Sequence, residues 1–162
     1  MIKDDCIVKT SFAPLYSKPT FKSELISQAL IWECLSILDE KDNWYKVKQL
    51  DDYISWIHKS YIINPKIYIE NNLDSDDKWY YLTKTFFNRN IDGLNYLSFA
   101  SLLPVIKVID DSYCTILLPN EKVLNIIKNY LIQYNSPIPI ENINKYLNEL
   151  IGTPYLWGGK SI

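Results

Sequence analysis

The chain has 162 residues, of which 48% are hydrophobic and 22% are charged, and this composition is typical of a globular protein rather than a disordered or fibrous one. Its formal net charge is −2, with acidic and basic residues interspersed, so it lacks the basic signature of nucleic-acid-binding proteins. The thirteen tyrosines and five tryptophans favour β structure, because aromatic residues are enriched in strands.

The beginning of the chain and its cysteines bear on localisation. Residues 1–6 contain no apolar stretch of the kind found in secretory signals, and no apolar run reaches the roughly 18 residues that a membrane span needs. Cys6, Cys34 and Cys114 are widely spaced and have no metal-ligand pattern. We therefore expect a cytoplasmic protein with reduced thiols, no metal, no cofactor, and neither nucleic acid nor a membrane as a partner.

Residues 1–64 have the pattern of short strands separated by polar turns. We expect strands at residues 6–8, 27–38 (one strand or a pair), 44–48 and 53–57, with turns at 39–43 and 49–52. Residues 11–20 are expected to form a loop, because Pro14 and Pro19 cannot donate to a strand ladder. Strands of about five residues joined by tight turns favour a small barrel of SH3 size.

Residues 66–135 predict a second β unit. Pro65 and the polar residues 71–77 mark its beginning. Four strand-like runs follow at residues 79–87, 94–99, 103–109 and 113–118, with turns at 90–93, 110–112 and 119–120. Residues 123–134 are compatible with either a helix or a final strand, since their periodicity does not decide between the two.

The last part of the chain predicts a linker, a helix and a glycine-rich segment. Apolar residues of the region 140–151 are spaced as one face of an α-helix. Gly152 stands where a left-handed C-cap ends such a helix, and Pro154 prevents the helix from continuing. Three of the four glycines of the chain fall within residues 151–162.

Two stretches resemble one family. The helix followed by Gly152-Thr-Pro-Tyr-Leu-Trp-Gly-Gly159 resembles the opening of the catalytic domain of NlpC-type cysteine peptidases, which cut bacterial cell-wall peptides. Upstream, Gln28-Ala-Leu-Ile-Trp-Glu33, residues 44–47 and residues 52–56 resemble the bacterial SH3 domain that precedes that catalytic domain. Trp32 and Ser55 replace two glycines of the SH3 pattern, which puts the local backbone in doubt because glycine tolerates positive φ.

The resemblance implies a mostly β fold with two small SH3-like β-barrels in tandem and a short C-terminal α-helix. The first barrel would comprise residues 1–64 and the second, more divergent one residues 66–135. Residues 137–162 would be the linker, the helix and the truncated start of a papain-like domain. In the family, the nucleophilic cysteine follows a few residues after the Gly-Gly pair, and the sequence given ends at Ile162.

The resemblance also implies site residues. Glu33 and Tyr53 correspond to SH3 residues that read the free N-terminal amine of the substrate, and Tyr155 to the tyrosine beside the nucleophile that helps to hold an oxyanion. Strict alternation would place Glu33 on the buried face of its strand, an unusual position for a carboxylate without a partner, unless a bulge moves it outward. Glu33 is therefore either a site carboxylate or a rim charge paired with a lysine, and Tyr53 is either a ligand contact or barrel packing.

The residues themselves do not predict catalysis. His58 lies at a strand end, and none of the cysteines lies at a helix N-terminus, where thiol pKa values are lowered. We expect this chain alone to be inactive, and whether it belongs to an enzyme stays open. Three hypotheses stay open. The chain is expected to be a non-catalytic targeting and substrate-gating region that acts with a missing catalytic domain, or a fragment of an active γ-D-glutamyl-L-diamino-acid endopeptidase. The third hypothesis is a stand-alone peptide- or protein-binding module. The expected ligand is a cell-wall-derived peptide with a free N-terminal L-Ala.

The C-terminal segment carries a further expectation. Without the elements that cover it in the family, Tyr155, Leu156 and Trp157 should lie exposed or rest against the barrels. Ordering a segment with few contacts costs about 1–2 kcal/mol per residue, so we expect amides 153–162 to exchange as fast as those of an unfolded peptide.

Overall fold

The computed structural model describes residues 5–87, 94–148 and 150–161, and most of its strands belong to two antiparallel sheets. The strands of the first sheet are β1 (Asp5–Val8), β2 (Phe12–Tyr16), β3 (Leu25–Leu30), β4 (Cys34–Lys41), β5 (Trp44–Lys48), β6 (Ile54–His58) and β7 (Ile62–Ile63). They are ordered β3-β2-β6-β5-β4-β1-β7. Short polar turns connect neighbouring strands, and in two of them Asp42 (φ +52°) and Asp52 (φ +65°) adopt the left-handed conformation that Asp tolerates.

The second sheet follows a short helix, α1 (Lys66–Glu70). The strands of this region are β8 (Trp79–Leu82), β9 (Phe86–Phe87), β10 (Tyr96–Leu97), β11 (Leu102–Val108), β12 (Tyr113–Leu117), β13 (Val123–Ile127) and β14 (Leu131–Gln133). Five of them form the sheet in the order β13-β12-β11-β8-β14, while β9 and β10 pair with each other. A second helix, α2 (Ile140–Asn148), comes last. Among the described residues, no helix is long and apolar enough to cross a bilayer.

Several predicted strands are confirmed and others need correction. The strand at 44–48 has the predicted bounds, and the stretch 27–38 contains the strand pair β3 and β4 rather than one strand. The polar turn predicted at 39–43 is shorter, because β4 continues to Lys41. Residues 123–134 form the strands β13 and β14 joined by one turn of 3₁₀ helix, not an α-helix. The turn predicted at 90–93 lies outside the described residues.

The loop predicted at 11–20 is wrong over its first half. Residues 12–16 form β2, which pairs along its length with β3, including Pro14 opposite Gln28. The neighbour on the other side, β6, pairs with β2 at Tyr16 alone. Proline is tolerated in a strand that has one side without a ladder partner, so Pro14 does not interrupt the pairing.

The predicted closure of each sheet into a barrel is not found among the described residues. The first sheet begins with β3 and ends with β7, and these two edges do not pair. Register shifts between Leu15 and Tyr16 and between Ile37 and Asp39 bend the sheet, since bulges increase local twist. All seven strands thereby contribute to one core cluster, namely Cys6, Val8, Ala13, Leu15, Ala29, Leu35, Val47, Ile57 and Ile62. The bent sheet thus encloses its core although its two edge strands, β3 and β7, do not pair.

A larger core cluster joins the two sheets. It combines Ile7, Ile31 and Trp32 with buried residues of the second sheet and its flanking segments, among them Trp79 and Ile116. Because this cluster spans residue 65, the two sheets share apolar packing although their strands lie on opposite sides of that position. The division of the chain into units 1–64, 66–135 and 137–162 stays a prediction.

Trp32, which stands where the SH3 pattern has glycine, forms the centre of this junction. Its φ is +68°, so the left-handed backbone of the glycine is kept at a cost of about 1–3 kcal/mol. The side chain is 3% exposed, packs edge-on against Trp79 with ring centroids 5.7 Å apart, and donates from Nε1 to the Leu117 carbonyl at 3.1 Å. Burying such a side chain contributes about 2–3 kcal/mol, which offsets the backbone strain.

The C-terminal helix packs loosely. None of its described residues is buried, and Ile140 and Leu147 are mostly exposed. Gly152 has the left-handed conformation predicted for it, with a φ of +89°, but it is not the C-cap of α2, because it lies four residues beyond Asn148. The helix itself ends at Asn148, three residues earlier than its apolar pattern predicts.

Candidate functional site

The turn between β3 and β4 positions Glu33. Its backbone is tied to β1, since Trp32 N–H donates to the Val8 carbonyl at 2.9 Å and Val8 N–H donates to the Glu33 carbonyl at 3.1 Å. The positive φ of Trp32 interrupts the strand, so the alternation that would place Glu33 on the face of Leu35 does not run through this turn. Leu35 is fully buried, whereas the Glu33 side chain is 20% exposed. Glu33 is therefore partly exposed because it lies in the turn between β3 and β4, not because of a bulge within one strand.

The Glu33 carboxylate is fixed from the interior of the domain. Its Oε2 accepts a hydrogen bond from Leu30 N–H at 3.0 Å, and its Oε1 accepts one from Nε2 of Gln49 at 2.7 Å. Gln49 is 2% exposed, and its Nε2 also donates to the Gln28 carbonyl at 3.2 Å. Two interior donors thus hold both carboxylate oxygens in one orientation, as a binding carboxylate requires.

The C-terminal segment 158–161 lies directly against this carboxylate. Nζ of Lys160 is 3.2 Å from Oδ2 of Asp51 and 4.0 Å from Oε1 of Glu33. Oε1 of Gln28 accepts three hydrogen bonds at 2.8 Å, from the backbone N–H groups of Lys160 and Ser161 and from the Ser161 hydroxyl. We call Gln28, Glu33, Gln49 and Asp51 the Glu33 site, and residues 158–161 the docked segment.

Gly158 allows the docked segment to approach so closely. Its φ is +70°, and a Cβ placed on it would lie 2.9 Å from both the carbonyl carbon and the carbonyl oxygen of Ile26. Such contacts are far below van der Waals distance, so a side chain at this position would push the segment away from β3. The glycine therefore has a packing reason and a conformational reason here.

The two tyrosines proposed from the resemblance occupy different surroundings. Tyr53 is 55% exposed and its carbonyl accepts from Gln49 N–H at 3.0 Å, so its backbone closes the loop that carries Gln49 and Asp51. Tyr155 is 84% exposed. Among the described hydrogen bonds, neither phenol contacts the Glu33 carboxylate. Their assigned roles in substrate binding and oxyanion stabilisation stay predictions.

The thiols and the single histidine do not form a catalytic pair in the described residues. Burial raises the pKa of the Cys6 thiol to about 12 and that of Cys34 to about 11, and burial also raises the pKa of Cys114. Protonated thiols are poor nucleophiles. His58 accepts from Ser60 N–H at its Nδ1 and packs against the rings of Phe21 and Trp44.

The described residues also form no metal centre. No group of three or more His, Cys, Asp or Glu side chains among the described residues is arranged to hold a metal ion. The chemistry available at the Glu33 site is therefore that of a fixed carboxylate with a second acidic group beside it, which suits a ligand with a positive charge and hydrogen-bond donors.

Residues 15–62 match the family model of the bacterial dipeptidyl-peptidase SH3 domain. The matched part, a little under a third of the chain, is therefore similar in sequence to a bacterial SH3 domain. It begins within β2, ends at the first residue of β7, and contains all four residues of the Glu33 site as well as Tyr53. The SH3 pattern is thus confirmed despite Trp32 and Ser55 in place of its glycines.

Solved structures show a similar fold over nearly the whole chain. An NlpC/P60 family protein from Bacillus cereus ATCC 10987 superposes with a TM-score of 0.76 at 19% identity, covering 97% of this chain and 67% of that one. An NlpC/P60 endopeptidase from Photobacterium damselae subsp. piscicida gives a TM-score of 0.63 at 16% identity, covering 95% of this chain and 38% of that one. The chain therefore spans about two thirds of the first protein and less than half of the second. No protein with curated functional information matches it by sequence.

These similarities concern the fold, whereas the Glu33 site is defined by the distances and hydrogen bonds described above. The solved structures agree with the predicted mostly β architecture, and the family model supports the SH3 pattern over residues 15–62. The sequence pattern pointed to Glu33 directly. It missed the other three residues of the site and Lys160, although Gln28 begins the quoted SH3 pattern and Asp51 lies just before its third part.

Proposed function

We propose that this chain is the non-catalytic SH3 region of an NlpC-type cysteine peptidase, in which it targets the protein to cell-wall-derived peptides and gates their access to a catalytic domain outside the 162 residues. The observation that carries the proposal is the Glu33 site. It presents a fixed, partly buried carboxylate within the SH3 domain, next to the segment that resembles the opening of the catalytic domain.

The chemistry of the site favours a primary amine. Both oxygens of Glu33 are oriented by interior donors, and Asp51 adds a second negative charge on the same side. The α-amino group of a peptide has a pKa near 7.7–8.0, so it is largely charged at neutral pH. A preorganised carboxylate binds such an ammonium group more strongly than a mobile one, because little entropy is lost on binding. A cell-wall-derived peptide with a free N-terminal L-Ala fits this requirement.

The path of the chain supports the proposed gating. The docked segment crosses the SH3 domain beside Glu33, and each further residue extends the chain by at most about 3.5 Å. A nucleophile only a few residues after the Gly-Gly pair, as in the family that the segment resembles, would lie within about 20 Å of Glu33. That distance suits a short peptide held by its amino end at Glu33 and cut near its other end.

A second candidate function rests on a different surface of the same domain. Phe21 is 55% exposed, and its ring lies 4.7 Å from Trp44, 5.2 Å from His58 and 5.9 Å from Tyr16 between centroids. Phe21 is the exposed ring of this group, Tyr16 and His58 are half-buried, and Trp44 is buried; an exposed aromatic side chain provides contact area for peptides and proteins. This cluster favours a stand-alone binding module whose ligand does not depend on Glu33.

Binding of the dipeptide L-Ala-γ-D-Glu to the purified chain tests the first proposal. Calorimetry should detect binding that weakens about 10- to 100-fold in Glu33→Gln, because a hydrogen bond to a charged group contributes about 1.5–3 kcal/mol. Glu40→Gln removes the same charge at an exposed position of the same domain and should leave the affinity unchanged.

Binding of the N-acetylated dipeptide, which lacks the free amine, would contradict the first proposal. If it binds as well as the free dipeptide, the site does not read an amine and the proposal fails. Loss of binding in Phe21→Ala with retention in Glu33→Gln would favour the aromatic surface instead. An in-frame Asp-Cys-Ser-Gly after codon 162 would identify the chain as part of an active endopeptidase.

A further inference from the structure

Lys160 places an ammonium group at the site that the proposed function assigns to the ligand's amine. Its Nζ lies 3.2 Å from Asp51 Oδ2 and 4.0 Å from Glu33 Oε1. The interior sides of the Glu33 carboxylate are taken by Leu30 N–H and Gln49 Nε2. An incoming amine has to approach the carboxylate from the side on which Lys160 stands.

Specific hydrogen bonds and a close backbone contact hold the docked segment in place. Gln28 is 3% exposed, and its Oε1 accepts three hydrogen bonds from Lys160 and Ser161. A buried side-chain oxygen needs such donors, because a buried acceptor without one costs about 1–3 kcal/mol. Gly158 provides the close approach to Ile26. Backbone, side chain and charge therefore all direct the segment to the same place.

We propose that the docked segment is an internal ligand of the SH3 domain, in which the Lys160 ammonium occupies the Glu33 site and must be displaced before a peptide amine binds there. The proposal rests on the proposed function for the identity of the external ligand. The internal ligand goes beyond the proposed function, because it assigns a competitor within the chain, Lys160, and a residue that positions this competitor, Gln28.

The competition sets the apparent affinity of the site. A peptide amine binds only to the fraction of molecules in which the ammonium of Lys160 has left, so the apparent dissociation constant is raised by the inverse of that fraction. The Lys160 and Asp51 side chains are 37% and 47% exposed, and ion pairs of this exposure shift equilibria about two- to fivefold. Removal of the ammonium should strengthen binding by a factor in that range.

The decisive variant is Lys160→Met, which keeps the length of the side chain and the backbone donors to Gln28. Its affinity for L-Ala-γ-D-Glu, measured by calorimetry, should rise about two- to fivefold. Lys48→Met is the matched control, since Lys48 pairs with the neighbouring Asp52 and its loss changes the net charge equally. An equal gain in both variants would show a general charge effect and overturn the proposal.

Glycine variants test the docking without altering any charge. In Gly158→Ala the new Cβ meets Ile26, whereas in Gly152→Ala it meets nothing within 4 Å, although both positions have positive φ. Gly158→Ala should therefore release the segment, raise the affinity for the dipeptide as Lys160→Met does, and speed amide exchange at residues 160 and 161 at least fivefold. Gly152→Ala should do none of these.

The outcomes separate this proposal from the one on which it rests. Binding that depends on Glu33 but is unchanged by Lys160→Met and Gly158→Ala overturns the internal competitor and leaves the proposed function intact. If the dipeptide does not bind to any variant, the proposed function fails and competition for a peptide amine fails with it. Exchange at residues 160 and 161, compared between wild type and Glu33→Gln without dipeptide, then shows whether Lys160 still docks on Glu33.

Discussion

At the scale of single residues, the chain tolerates unfavourable local states where long-range packing outweighs them. Trp32 keeps a left-handed backbone because its indole ring is buried between the two sheets. Cys6 is buried and Cys34 is partly buried on the neighbouring strand, opposite Ile7 in the ladder, and burial raises the pKa of both thiols. Each of these states has a measurable energetic consequence.

Substitution of Trp32 should separate the cost of its backbone from the gain of its side chain. We expect Trp32→Ala to lower the free energy of unfolding by about 3–5 kcal/mol, the usual cost of truncating a buried aromatic residue. Trp32→Gly should cost about 1 kcal/mol less, because glycine adopts positive φ without strain. Urea denaturation measures both. A more stable alanine variant would mean that the turn relaxes away from its left-handed conformation.

The buried thiols predict a loss of stability at alkaline pH. Above pH 9 the thiols ionise in the unfolded chain, while in the folded protein the pKa of Cys6 is about 12 and that of Cys34 about 11. The unfolded state then binds fewer protons, so the free energy of unfolding falls with rising pH, by up to about 1.4 kcal/mol per pH unit for the buried Cys6 thiol and by less for the partly exposed Cys34 thiol, which solvent screens. Urea denaturation between pH 8 and pH 11 measures this slope.

Cys6→Ala tests whether the thiol causes the alkaline slope. The variant should have a shallower dependence on pH above 9 than the wild type, whatever its stability at pH 7. Val8→Ala, at a fully buried position without a titrating group, should lower stability and keep the wild-type slope. Equal slopes in Cys6→Ala and wild type would show that the Cys6 thiol ionises equally in both states.

At the scale of elements, the C-terminal part combines a loosely packed helix with a segment that is anchored near its end. Tyr155, Leu156 and Trp157 are exposed, as the sequence predicts. The expectation of uniformly fast exchange needs revision, because the N–H groups of Lys160 and Ser161 donate to Gln28 and that of Gly159 donates to the Leu156 carbonyl. The segment is therefore anchored at residues 159–161, directly after the three exposed residues 155–157 and Gly158.

Hydrogen exchange should resolve this pattern within the segment. Amides of residues 159–161 should exchange more slowly than those of Tyr155 and Trp157, since their hydrogen bonds must open first. They should still exchange faster than the strand amides of Leu35 and Val47, which lie in the core of the first sheet. Equally fast exchange from residue 155 to residue 161 would contradict the docking.

At the scale of the whole molecule, the two sheets are coupled through one apolar cluster. Ile7, Ile31 and Trp32 extend from the SH3 side into the core of the second sheet, and Tyr68 donates from its hydroxyl to the Trp32 carbonyl at 3.1 Å. Two independent barrels in tandem would unfold separately. A shared core instead favours one cooperative transition, because neither sheet keeps its packing when the other unfolds.

Ile116→Ala tests this coupling from the second sheet. Ile116 is fully buried, so the variant should lose about 2–5 kcal/mol of stability, and exchange of the most protected amides should accelerate in both sheets. Val108→Ala, at an exposed position of β11 in the same sheet, should change stability by less than about 0.5 kcal/mol. Acceleration confined to residues 79–133 would show that the first sheet is stable without its neighbour.

The sequence by itself determined the local features. Alternating apolar residues and polar turns predicted most strands, the bounds of β5 and the left-handed conformation of Gly152, because these depend on neighbours within a few residues. The SH3 pattern identified Glu33 through its place in a motif. It could not show that β2 continues through Pro14, since this depends on which neighbouring strands pair with β2.

The tertiary structure alone decided how these elements meet. The contact of Lys160 with Asp51 joins residues 109 positions apart, and the hydrogen bonds of Gln28 join residues 132 and 133 positions apart. The position of Trp32 between the sheets likewise depends on Leu117, 85 residues away. Contacts at such separations arise from how the sheets pack, and packing depends on the shape and burial of many side chains at once. No spacing along the chain records them, so the Glu33 site and its occupant became visible only in the folded protein.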